Sequence, residues 1–140
     1  MPHVLEIDAT ENVIRVSVYG DLAPAEVSDI FQRVRKFLSK TEIRGGILDL
    51  SNVRTLDIPA DVVRRFSKEP PLFKGSQPRV IVAAADLVFG MARLFQISRS
   101  AIHDQLHVVH TMREAYDILG LKNPDFKTVP FEREHRENTA

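Results

Sequence analysis

Three histidines, His103, His107 and His110, stand four and three positions apart. On a helix that spacing would gather the imidazoles on one face for a metal ion. The residues between the last two, Val108 and Val109, read with Leu106 as a strand, which sends His107 and His110 to opposite faces. Asp104 beside His103 has the chemistry of an acid–base pair, but no serine elbow, Gly-rich phosphate loop or HExxH helix accompanies it. Gly45-Gly46 enters a strand and lacks the Lys-Ser/Thr of a phosphate loop. The chain has no Cys, which excludes thiolate zinc sites, iron–sulfur clusters and cysteine nucleophiles. No catalytic residue, metal or cofactor is expected, and the chain does not read as an enzyme.

Two other groups of residues have the chemistry of contact. Arg54, Thr55, Asp57 and Ile58 lead into Pro59, with Arg64 and Arg65 one turn further on. A helix start can bind an anion through free N–H groups, but a proline there removes one donor. Asp57 and Asp61 add negative charge at the same place. The arginines therefore read as a solvated helix face unless they fold back over the loop. The second group is the stretch from Leu87 to Ile97, where only Gly90, Arg93 and Gln96 fall outside the apolar set. A helix apolar almost all round must be buried on more than one side. One side packs on a sheet; the other meets a neighbouring helix, the Phe126–Phe131 segment, a second subunit or an apolar ligand. Gly90 in mid-helix costs ~1 kcal/mol against Ala, which suggests close approach of another backbone.

The elements that position these residues follow from periodicity. Val4–Ile7 and Val13–Tyr19 alternate as strands around a short polar connection at Thr10-Glu11-Asn12. Pro24 suits the first turn of a helix whose apolar face is Val27, Ile30, Phe31, Val34, Phe37 and Leu38. Ile47–Leu50 reads as a central buried strand, Pro59 opens a second helix, and Pro70-Pro71 closes it. Arg79–Ala84 is a further buried strand, and Asp86 is placed to cap a third helix reaching about Ser98. Leu106–Val109 is a last strand, and Thr111 with Glu114 forms a capping box for a fourth helix ending at Gly120. The expected fold is α/β, a mixed four- to five-stranded sheet with about four helices in the order β-β-α-β-α-β-α-β-α. Residues 1–120 form one domain, and 121–140 a C-terminal extension whose charged end is expected to be disordered.

Nineteen basic and nineteen acidic residues balance to zero, which argues against a nucleic-acid partner held by counterion release. No positive leader and no apolar run of about 20 residues occurs, so a cytoplasmic protein without membrane insertion is expected.

The segment Gly46-Ile47-Leu48-Asp49-Leu50-Ser51-Asn52-Val53-Arg54-Thr55-Leu56-Asp57 resembles the STAS domain of sulfate-transporter tails and anti-sigma-factor antagonists. Gly20-Asp21-Leu22 before the first helix is similar to that family's Gly–acid–Leu element, and the stretch from Val80 to Phe95 looks like its SpoIIAA-like branch. The resemblance implies a regulatory interaction module that binds a protein partner or itself. It also implies a phosphoacceptor serine directly after Asp57, where this chain has Ile58, followed by Pro59 and Ala60. Phosphorylation acts by placing about −1.5 to −2 charges at one hydroxyl, so a constitutive contact is expected instead of a toggled one. The expected contact residues are Arg54, Thr55, Asp57 and Ile58 on the loop and Phe89, Met91, Arg93 and Leu94 on the third helix. The alternative is a carrier of a small apolar or lipid-like ligand between the third helix and the sheet, by analogy with CRAL-TRIO domains.

Overall fold

The computed structural model describes residues 3–70, 72–73, 77–99 and 105–130. β1 (His3–Asp8) and β2 (Val13–Leu22) form an antiparallel hairpin with Asp8 opposite Val13. Asp8 closes it. One carboxylate oxygen accepts from the Thr10 and Glu11 N–H groups, both at 3.0 Å, and the other accepts from the Asp125 N–H at 2.8 Å. A single buried side chain thus holds the turn and moors the C-terminal segment to it.

From β2 the chain crosses through α1 (Pro24–Leu38) into β3 (Gly45–Leu56), then α2 (Ala60–Phe66), β4 (Arg79–Val82) and α3 (Asp86–Ser98). β5 (Leu106–Val109), α4 (Met112–Leu119) and β6 (Lys127–Thr128) complete it. The sheet order is β5-β4-β3-β2-β1-β6. β2 to β5 run parallel, and β1 is antiparallel to both its neighbours.

Side-chain alternation divides the interior into two layers. Ile14, Val16, Val18 and Ile81 face Ile30 and Val34 of α1 and Val88 and Ala92 of α3. Val13, Ile47, Val80 and Val82 face the other way, against Ala115 and Leu119 of α4 and Leu121. On that second side the Arg15 guanidinium pairs with Glu6 at 3.0 and 3.2 Å and donates to the Tyr116 hydroxyl at 3.0 Å. It also lies 4.3 Å over the Phe126 ring, joining the hairpin, α4 and the C-terminal segment.

The element order and the mixed sheet agree with expectation, and three details differ. The sheet has six strands, because Lys127 and Thr128 pair with Ile7 and Glu6. Two residues cannot show alternation; the mooring at Asp125 and the Val129 N–H bond to Leu5 O at 2.7 Å lay them along β1. β3 runs on to Leu56, so Arg54 and Thr55 sit in a strand and not in a loop, since β2 accompanies it as far as Leu22. Its polar second half hides a strand whose backbone is satisfied by a neighbour. Two register shifts accompany this extension, and Gly20 lies between them at φ 83°, a conformation an L side chain adopts only under strain. Finally, Ala85 is the N-cap of α3 and Asp86 its first residue, with no side-chain cap. Phe131 and the charged tail lie outside the described residues.

The backbone bonds from Asp125, Glu11 and Thr10 hold the Asp8 carboxyl below its usual range. Such a group stabilises the fold fully above its unfolded value of about 3.9, and that contribution is lost as pH falls through the lower folded value. Asp8→Asn turns an amide N–H towards donors; it is expected to cost about 2 kcal/mol at pH 7 by urea denaturation. The difference from wild type should shrink in acid.

Candidate functional site

Where β2 and β3 end side by side, Asp21 organises the surface. Its carboxylate accepts from the Thr55 hydroxyl at 2.7 Å and from the Arg54 guanidinium at 3.0 and 3.1 Å. The Thr55 bond first, and then Arg54, hold the Asp21 carboxyl below its ordinary range. Arg54 and Thr55 are therefore engaged in an exposed cross-strand clamp and are not free arms over the next helix. The Asp57 N–H bonds Leu22 O at 2.9 Å, fixing the chain as it leaves β3. Asp57 remains exposed, whereas Ile58 is half-buried and packs against the core.

α3 does not present its four expected contact residues together. Phe89 stacks face to face on the His110 ring, 3.9 Å between centroids, and so ties the helix start to the end of β5. Met91, half-buried, lines the same cavity as Ile58. Arg93 is exposed and hydrogen-bonds Gln96. Leu94 is half-buried. The most exposed apolar side chains of α3 are Leu87, 67% exposed, and Ile97, 57% exposed. At 100° per residue Leu87, Gly90, Leu94 and Ile97 fall within one quarter of the helix circumference, a stripe about 15 Å long. That spacing is visible in the sequence, but an apolar run on all sides masks which residues the sheet will leave out. A Cβ on Gly90 would meet nothing within 4 Å, so no neighbour among the described residues requires that glycine.

The inner side of α3 bounds two adjoining cavities of about 110 and 120 Å³. Both lie between the three-helix layer and the sheet, with Phe31, Leu48, Ile81 and Phe95 as common walls. Gly46 makes room for Phe73 beside the first, since a Cβ there would lie 2.7 Å from the Phe73 ring.

Of the histidines, His107 is half-buried in β5, and His103 with Asp104 lies outside the described residues. Among the described residues no three His, Cys, Asp or Glu side chains converge as a metal site. No helix among them is long and apolar enough to cross a membrane.

An anti-sigma factor antagonist from Mycobacterium paratuberculosis superposes with a TM-score of 0.58 over 84% of this chain and 92% of its own, at 16% identity. The chain has the SpoIIAA fold. SpoIIAA itself, the anti-sigma factor antagonist solved in its unphosphorylated form, superposes with a TM-score of 0.55 at 16% identity. That match covers 86% of this chain and 99% of the SpoIIAA chain. No family profile matches the sequence, and no curated protein matches it. In this SpoIIAA-like fold the residues expected to make contact are divided between the ends of β2 and β3, the turn after them and several sides of α3.

Removing the clamp should act locally. Asp21→Ala is expected to leave global stability close to that of the wild type, because the cluster is exposed. Amide exchange at Thr55 and Asp57 should accelerate; unchanged exchange there would show that the clamp orders nothing.

Proposed function

We propose that this chain is a non-enzymatic regulatory module that binds a protein partner, a second copy included, through the outer face of α3. The observation that carries the reading is the stripe from Leu87 to Ile97, two large apolar side chains more than half exposed on a regular helix. Contiguous exposed apolar surface marks contacts, and Gly90 in its middle lets another backbone approach the helix closely. The anti-sigma factor antagonist names of the two solved neighbours agree with action through another protein.

The contact is held without a phosphate switch. Ile58 stands where the resemblance calls for a serine; it has no hydroxyl and is half-buried. The hydroxyl of Thr55 already donates to the Asp21 carboxylate, whose charge opposes a phosphate there. A second reading, carriage of a small apolar ligand, is favoured by the two cavities behind α3.

The paired substitution Leu87→Asp with Ile97→Asp tests the leading reading. Both side chains are exposed, so the melting temperature is expected to stay within about 3 °C of wild type. Sedimentation velocity and co-purification from source cells should show a protein complex for wild type and none for the variant. A variant that associates as wild type does would overturn the assignment. Phosphopeptide mapping of the cellular protein is expected to find no phosphate between Ser51 and Ala60. Stoichiometric modification in that stretch would contradict the absence of a switch.

A further inference from the structure

We propose that the occupant of the α3 stripe is a second copy of this chain, two α3 helices crossing antiparallel at Gly90 with Asp86 of each copy paired to Arg93 of the other. This inference rests on the reading above, that a protein covers the stripe, and adds which protein and in what register.

The charges beside the stripe select the occupant. Asp86 and Arg93 are both exposed. They stand seven residues apart, so at 100° per residue they lie within about 20° of each other along one edge of the stripe. Gly90 falls between them, four residues after the acid and three before the base. The opposite edge carries Met91 and Ser98, which have no charge. A two-fold axis through Gly90, perpendicular to the helix, turns the second helix antiparallel and lays its charged edge beside that of the first. Asp86 of one copy then stands about 1.5 Å along the helix axis from the level of Arg93 of the other, and symmetry makes the pair twice. A parallel arrangement would instead set each charged edge against an uncharged one. Nineteen acidic and nineteen basic residues give the two copies no net repulsion.

The apolar residues fit the same register. Leu87 comes within about 1.5 Å of the level of Leu94 of the second copy. Gly90 faces Gly90 at the crossing, where a Cβ would meet nothing within 4 Å among the described residues. Two glycines there let the helix axes approach to the short end of the usual spacing of about 8–10 Å. Ile97, 57% exposed, reaches past the first turn of the other helix, over Ala84 and Ala85, both exposed. The Arg93 head is already set for the pairing. Its guanidinium donates to the Gln96 amide oxygen, and the Gln96 amide N–H donates to Leu106 O at 2.8 Å. The head therefore leans towards the C-terminal end of α3, the side on which Asp86 of the second copy arrives.

Sedimentation velocity of the whole chain from about 1 to about 300 μM is expected to show a monomer–dimer equilibrium, since one helix face is a small interface. Asp86→Arg and Arg93→Asp should each weaken self-association by about tenfold or more, because each sets like charges side by side at both ends of the crossing. An equimolar mixture of the two variants should restore the dimer, since every pair across the two-fold axis is then opposite in sign. Circular dichroism checks that each variant keeps the fold. Wild type that stays monomeric over the whole range would overturn the second copy as occupant. A cellular complex lost in the Leu87→Asp with Ile97→Asp variant would in that case keep the wider reading, and no cellular complex at all would overturn both. Single variants that dimerise as wild type does, or a mixture no tighter than its components, would overturn the register. If a charge variant does not fold, Gly90→Cys reads the register in its place, because the chain has no other thiol. A disulfide-linked dimer is expected on mild oxidation, and its absence would overturn the crossing at Gly90.

Discussion

A helix of thirteen residues laid across a sheet has one inward stripe, and α3 carries more apolar side chains than one stripe can bury. Val88 and Ala92 are consumed by the sheet, and Phe95 and Met91 by the cavity walls. Phe89 is consumed by His110. Leu87 and Ile97 are left over, each more than half exposed. α4 cannot relieve them, because it packs on the opposite face of the sheet with the second core layer. The geometry of parallel crossovers therefore creates the surplus, and the surplus defines the outer surface on which the proposed function rests.

The same crossover geometry explains why the other candidate surface is built as it is. β2 and β3 run parallel, joined through α1, and their last residues pair only with each other, beyond the ends of their pairing with β1 and β4. Leu22 and Val53 anchor this extension in the core on one side, and Asp21 ties its exposed side together through Thr55 and Arg54. The cost is chemical. A threonine and an arginine committed to a carboxylate are not available to cradle an anion at the next helix, where Pro59 has already removed a donor.

Much of this was legible in the residues themselves. The period-two alternation of Val13–Tyr19, the 3.6-residue face of α1 and the Thr111–Glu114 box each report local physics, and each is found in place. What was not legible depends on distant partners. β6 exists because Asp8, far away in sequence, accepts the Asp125 N–H. Arg54 and Thr55 are strand residues because β2 is long enough to pair with them. For α3 the sequence announced that two sides needed covering, but the choice of Leu87 and Ile97 as the uncovered pair required knowing where the sheet lies.

The central claim is that a protein covers this outer stripe when the molecule works. Hydroxyl-radical footprinting of Leu87 and Ile97, in intact cells and in dilute purified protein, tests it most directly. The account predicts rapid oxidation of both side chains in the dilute protein and strong protection of both in cells. Equal reactivity in the two settings would contradict it.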